Sequence, residues 1–155
     1  MQGIIVADTS CLILLQKIEQ LDLLRKLFGQ IIITREVAGE FNAVLPDFFQ
    51  IHHPRDVNYF KILRTFLDKG EASVIALALE EENCLLIIDE AKGRREAQAL
   101  GIQVTGTLGI LLLAKEKKLI QAIKPLVGQI QKTNFRVSKA LVGKALKMAN
   151  ESMDQ

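Results

Sequence analysis

Two short apolar runs in this 155-residue sequence each lead directly into an aspartate: Ile4-Ile5-Val6-Ala7 into Asp8, and Leu85-Leu86-Ile87-Ile88 into Asp89. Two glutamates stand in settings that could join them. Glu71 follows Gly70 at the start of an alanine-rich helical pattern, and Glu40 lies in the middle of a helix expected from Thr34 to Phe41. Carboxylates gathered without cations repel: two unit charges about 4 Å apart cost on the order of 4 kcal/mol at an effective dielectric of 20. A cluster of three or four therefore calls for a divalent ion, and an all-oxygen donor set favours Mg2+ or Mn2+ over zinc. Such an ion activates water and stabilises the charge of a phosphodiester under in-line attack. The four acids can thus support metal-dependent phosphoryl chemistry. Singly, each also has an ordinary reading, as a helix cap or an exposed helix residue.

To act together these acids must be carried to one place. The runs at 4–7, 31–33 and 85–88 are too short for helices and continuous rather than alternating, the pattern of strands covered on both faces. A weaker fourth, Ile102-Gln103-Val104, follows Gly101. Helical spacing links Leu21, Leu24, Leu27 and Phe28 and stops at Gly29. Thr34 can cap the helix through Phe41, with Glu36 in its first turn. Residues 57–67 and 71–83 read as two helices divided by Asp68-Lys69-Gly70. Residues 90–100 form another, Gly106 opens one through Lys117, and Ser138 caps the last. The stretch from Pro46 to Asp56 is the least regular part. Strands alternating with helices imply βαβ units, an α/β fold whose parallel sheet is covered on both sides. Such sheets bind ligands beyond the carboxyl ends of their strands, which is where Asp8 and Asp89 fall. If the two strands are neighbours, about 5 Å apart, the carboxylates converge.

Composition excludes several classes. Hydrophobic residues make up 49% of the chain, enough for a real core and too many for disorder. Cys11 and Cys84 both sit in apolar runs and read as buried thiols of a reducing compartment. No apolar stretch reaches the roughly 18 residues of a membrane span, and no leader pattern opens the sequence, so a cytoplasmic protein is expected. His52 and His53, adjacent and just before Pro54, suit a surface turn better than a zinc site or a hydrolase triad. Glycine-rich phosphate loops and dinucleotide-binding patterns are absent. Thr105-Gly106-Thr107-Leu108-Gly109 either presents hydroxyls and amides at the sheet edge or caps a helix. The net charge of +2 is unevenly spread: residues 1–114 hold 11 Lys/Arg and 15 Asp/Glu, whereas 115–147 hold nine basic residues against Glu116 alone. That basic quarter reads either as a nucleic-acid footprint or as solvated helix faces. On the first reading Lys92, Arg94, Lys139 and Lys144 are the candidate phosphate contacts.

Several of these runs resemble a known family. Asp8-Thr9-Ser10 after an apolar strand, Gly70-Glu71-Ala72 opening an Ala-rich helix, and Leu86-Ile87-Ile88-Asp89-Glu90 followed by Gly93-Arg94-Arg95 resemble the PIN domain. Val104 to Gly109 and Phe135-Arg136-Val137-Ser138 resemble one prokaryotic branch of it, akin to VapC toxins. The likeness covers essentially the whole chain, as one domain over 1–155 with 119–155 a basic helical segment packed on it. It implies a three-layer α/β/α sandwich with a central, mainly parallel sheet, and a Mg2+- or Mn2+-dependent endoribonuclease site. Carried over by position, Asp8, Glu40, Glu71 and Asp89 are the catalytic, metal-holding acids; Ser10 stands behind them and Thr107 takes a hydroxyl position beside them. An RNA substrate, a small antitoxin and a homodimer are implied as partners. The sequence departs from the pattern at Cys11, where proline is frequent, at Glu90, where a second aspartate is common, and at Ser73, where relatives often carry another acid. Were position 73 the true ligand, the site would be depleted. A catalytically weak RNA- or protein-binding domain is therefore the competing reading. An aspartyl phosphotransferase with Asp8 as nucleophile wants a second aspartate at position 10, which is Ser10.

Overall fold

Val6, Ala7, Ile31, Ile33, Leu86 and Ile87 are all inaccessible to water, as continuous apolar strands without a solvent-facing side must be. They belong to one sheet. In the computed structural model, which describes residues 3–152, five parallel strands are arranged in the order β3-β2-β1-β4-β5. The strands are β1 (Ile4–Ala7), β2 (Ile31–Thr34), β3 (Phe49–His52), β4 (Cys84–Ile87) and β5 (Gln103–Thr105). Helices α1 (Thr9–Lys17) and α2 (Asp22–Phe28) join β1 to β2, and α3 (Arg35–Phe41) follows β2. Next come α4 (Val57–Leu63) and α5 (Lys69–Leu79) before β4, and α6 (Ala91–Ala99) before β5. The chain ends with α7 (Thr107–Glu116), α8 (Lys124–Gln131) and α9 (Lys139–Met148). One layer contains α7 against α1 and α2; the other contains α5 against α4 and α6, lying across β1, β2 and β4. The result is an α/β/α sandwich. Residues 1–2 and 153–155 of the expected domain lie outside the described residues.

From β1 the chain winds outward through β2 to β3, then returns to place β4 beside β1 and winds outward again to β5. The reversal opens a crevice between β1 and β4, the place where open α/β sheets take their ligands. The register is continuous there: Ala7 pairs with Ile87, and the Asp8 amide donates to the Ile87 carbonyl at 2.9 Å. Asp8 and Asp89 thus leave neighbouring strands on the same edge.

Several expected boundaries coincide with observed caps. The Thr34 hydroxyl accepts from the Val37 amide at 3.1 Å, the Ser138 hydroxyl from the Leu141 amide at 3.1 Å, and Gly106 is the residue before α7. Others differ. The stretch 46–56 is not irregular throughout, because Phe49–His52 pairs along its length with Ile31–Thr34 as an edge strand. Three of its four side chains are exposed, so it lacks the apolar run that marks the inner strands. His52 therefore ends a strand instead of lying in a turn. Helix α1 was not expected at all: Cys11, Leu12, Leu14 and Leu15 are buried around it, and a helix enclosed on most sides loses its amphipathic period. The C-terminal segment is two helices, α8 and α9, joined by non-helical residues 132–138.

Glu151 ties that segment down. Its carboxylate, 11% exposed, accepts from the Ile123 and Lys124 amides at 2.9 Å each and from the Lys115 ammonium at 2.9 Å. Burial alone would raise this carboxyl, but the Ile123 amide, Lys115 and the Lys124 amide together hold it below the ordinary glutamate range. A depressed acid contributes stability that is present above its unfolded value and lost as pH falls through its folded one. Glu151→Ala should therefore cost about 1–3 kcal/mol in urea unfolding at pH 7. The difference from the parent chain should shrink as the medium is acidified below about pH 4.5.

Candidate functional site

Asp8 occupies the N-cap of α1, yet its side chain makes no capping hydrogen bond. It is 4% exposed. Burial pushes its carboxyl up to about 7; the Thr9 amide opposes the rise, while Asp68, Glu40 and Asp89 add to it through their charges. An aspartate in this position usually trades its buried charge for the helix N-terminus. Here it is surrounded by acids instead.

Glu71, buried in the first turn of α5, is also raised to about 7. Burial dominates, followed by the charges of Asp68, Asp8 and Glu90, and a hydrogen bond to Asp68 favours the protonated form. Asp68 caps the same helix, accepting from the Glu71 amide at 2.9 Å. A Cβ on Gly93 of α6 would sit 3.2 Å from Glu71 Oε2 and closer still to Ile88, so that glycine lets α6 approach the acids. Ser73, the alternative ligand position, points elsewhere. Its hydroxyl is buried at 2.7 Å from both the Thr34 hydroxyl and the Gly70 carbonyl, so it pins α5 to the end of β2.

Asp89 is held by both oxygens. Oδ1 accepts from the Thr107 amide at 2.8 Å and Oδ2 from the Thr107 hydroxyl at 2.6 Å, so the aspartate caps α7 from a different strand. Burial raises its carboxyl, and these bonds together with Arg94 offset part of the rise. Arg94 donates to the Ile88 carbonyl at 3.1 Å. A Cβ on Gly106 would come within 2.5 Å of Asp89 Oδ1 and 2.9 Å of Arg94 Nη1, so the two side chains can keep these positions only beside a glycine.

Glu40 lies in the last turn of α3, not its middle, and is exposed. A carboxylate there opposes the helix dipole. It is held nonetheless, by the Thr9 hydroxyl donating to Oε1 at 2.5 Å and by Gly70, whose missing side chain leaves room for the carboxylate.

The structure thus brings Asp8, Glu71, Asp89 and Glu40 to one edge, with Thr107 on Asp89 as the predicted hydroxyl. Ser10 Oγ is buried nearby on α1 and has no hydrogen-bond partner among the described residues. Among the described residues, no three His, Cys, Asp or Glu side chains close into a ready metal cage; the acids meet through pairs and mutual repulsion. Of the basic candidates, Arg94 and Lys144 line one groove that reaches Asp89, whereas Lys92 and Lys139 are exposed and outside it. Two residues escaped the sequence reading. Asp68 is one, and its signal was the Asp68-x-x-Glu71 spacing of a capped helix start. Thr9, which orients Glu40, left no signal beyond its place beside Asp8. Cys11 and Cys84 are free and buried.

A family model described as PIN domain matches residues 4–151, from the first residue of β1 to just beyond α9. The chain belongs to the PIN domain family. A PIN domain is a nuclease-type fold, and PIN-domain nucleases bind nucleic acid. No curated protein matches the sequence. Among the described residues of this PIN domain, no helix is long and apolar enough to cross a membrane.

The raised acids make a signed prediction. Where a buried carboxyl has a folded value above its unfolded one, the folded state binds the proton more tightly, so stability falls as pH rises between the two. For Asp8 and Glu71 that window runs from about 4 to about 7. In EDTA the PIN domain should lose melting temperature across this window and then level off. Asp8→Asn should flatten much of the slope, leaving the variant more stable than the parent at pH 8 by on the order of 3 kcal/mol, and no more stable at pH 4.

Proposed function

We propose that this PIN domain is a Mg2+- or Mn2+-dependent endoribonuclease, and more finely the toxin of a toxin–antitoxin pair. The observation that carries the reading is Asp8: a buried carboxylate at a helix N-cap that forgoes the cap and stands among Asp68, Glu40 and Asp89. The donor set suits a hard divalent ion, since the acids offer only oxygen and their raised carboxyls record the positive charge they lack. Bound there, the ion supplies water activation and charge stabilisation for phosphodiester hydrolysis.

The chain's own residues divide the work. Asp8 and Glu71, with no capping duty, are the acids that hold the ion; Asp89 and Glu40 complete the set from fixed positions. Thr107 keeps Asp89 aimed by occupying its two oxygens from the helix side. The Thr9 hydroxyl holds Glu40 by one of its oxygens. Ser10 Oγ, buried and without a partner among the described residues, is available to order water or a carboxylate behind the ion. Arg94, beside Asp89, offers a cation to the phosphate. RNA as substrate, a small antitoxin and a second copy of the chain as partners follow from the likeness of residues 104–109 and 135–138 to the VapC-like branch.

Cleavage of an RNA substrate by purified protein should require Mg2+ or Mn2+ and cease in EDTA. Asp8→Asn and Asp89→Asn should each lower the rate at least about 100-fold, as loss of a metal-holding group does, while circular dichroism shows the fold retained. Cleavage that continues undiminished in a clean Asp8→Asn preparation overturns the assignment. Salt-sensitive RNA binding with no cleavage under any metal supports a binding domain instead.

A further inference from the structure

Ser73 interrupts an apolar stretch of α5, with Ala72, Val74, Ile75 and Ala76 buried on either side of it. It is 0% exposed, and so is Thr34 at the end of β2. A buried hydroxyl costs free energy unless it is bonded. Two apolar residues of the same shape would hold α5 against β2 about as well as a bonded pair does. The pair must supply something that apolar packing does not.

Each of the two hydroxyls has a single proton, and that fixes the direction of their bonds. Ser73 donates its proton to the Gly70 carbonyl at 2.7 Å. The proton between Ser73 Oγ and Thr34 Oγ1, 2.7 Å apart, therefore comes from Thr34. Thr34 Oγ1 in turn accepts from the Val37 amide at 3.1 Å. One polarised chain thus runs from Val37 through Thr34 and Ser73 to Gly70, with every proton used. It starts in the first turn of α3 and ends in the first turn of α5, the helices that carry Glu40 and Glu71. Gly70, where it ends, directly precedes Glu71 and makes room for the Glu40 carboxylate by its missing side chain. Apolar contact between α3 and α5 is non-directional and tolerates sliding. Hydrogen bonds fix distance and angle, and a fully satisfied buried network holds a single arrangement.

We infer that Thr34 and Ser73 are positioning residues for the metal-holding acids: their hydroxyl chain sets the offset of α3 against α5, and with it the separation of Glu40 from Glu71. Both groups are buried and their protons are spent within the chain, so they act through the acids. Serine at position 73 is then part of the site's support and not a lost ligand. The inference rests on the metal-dependent reading of the acids, and its test separates the two. Mn2+ affinity of the full chain is measured without RNA, from free Mn2+ by electron paramagnetic resonance, beside the melting temperature in EDTA. Ser73→Ala leaves the Thr34 cap on Val37 in place and should raise the Mn2+ dissociation constant about tenfold, as loss of an outer-shell group does. Thr34→Val should weaken binding by a similar factor, whereas Thr34→Ser, which keeps the hydroxyl, should bind as the parent does. Because the two residues act as one chain, Thr34→Val with Ser73→Ala should bind no more weakly than Thr34→Val alone. In cleavage at a fixed Mn2+ concentration, Ser73→Ala should lower kcat and leave KM for RNA unchanged. Ser73→Asp supplies an acid but no proton for the Gly70 carbonyl, and it too should bind Mn2+ more weakly than the parent. Tighter binding by Ser73→Asp makes position 73 a ligand position and the inference wrong. Parent-like Mn2+ affinity in Ser73→Ala, whatever its melting temperature in EDTA, assigns the hydroxyls to the fold alone and also overturns it. If the parent binds Mn2+ but cleaves no RNA, and Ser73→Ala still binds Mn2+ more weakly, the ribonuclease reading falls and the positioning role stands. A parent that binds no Mn2+ overturns both.

Discussion

Holding several carboxylates in a water-poor space is the constraint on which this architecture turns. Asp8 and Glu71 are both pushed up to about 7, and burial is the first cause in each case. What makes the arrangement tolerable is the parallel sheet. Every strand in such a sheet delivers its carboxyl end to the same edge, and the helix that follows begins there with its amides facing the edge. Asp8 stands at the start of α1, Asp68 and Glu71 at that of α5, Glu90 at that of α6, and Asp89 binds the first amide of α7. Each helix N-terminus carries roughly half a positive charge. Four of them partly offset the acids, and Arg94 beside Asp89 adds a further positive charge. Glycines at 70, 93 and 106 then allow the elements to come close enough for the charges to be felt in common.

The strand-ending aspartates were legible because the apolar runs stop abruptly where the strands end. The inner strands β1 and β4 are apolar to their last residue, so the first charge after each marks the edge of the sheet. The caps at Thr34, Ser138 and Gly106 were legible because the backbone needs a specific partner where a helix begins. Helix α1 and strand β3 failed for opposite physical reasons: one is buried on most sides and shows no polar face, the other is exposed on most sides and shows no apolar one. Pairings across the fold, such as Thr9 with Glu40 or Asp89 with Thr107, depend on which strands are neighbours. No local pattern carries that information.

Charge taught a similar lesson in the C-terminal quarter. Counted along the chain, nine bases face one acid. Folded, the picture is mixed. Lys115 is neutralised by Glu151 and also donates to the Ala149 carbonyl, and Lys124 reaches the Ser152 carbonyl. These lysines staple α7, α8 and residues 149–152 together. The charges that remain open to the groove, Arg136 and Lys144, are joined by Arg94 and Arg95 from α6, far away in sequence. A cationic surface of this sort is assembled by packing, and only part of it comes from the segment where the bases are dense.

The double grip of Thr107 on Asp89 has a mechanical side. The two hydrogen bonds that seat the first turn of α7 end on a carboxylate of the site, and α7 in turn lies against α1, α2 and α9. Anything that tugs on Asp89 competes with those bonds and pulls on a strut shared by the helical layer. The same strut supports Leu108 and Leu112 in the groove wall. The acid edge and the groove therefore cannot relax independently: they are two ends of one short lever, with Thr107 as its pivot.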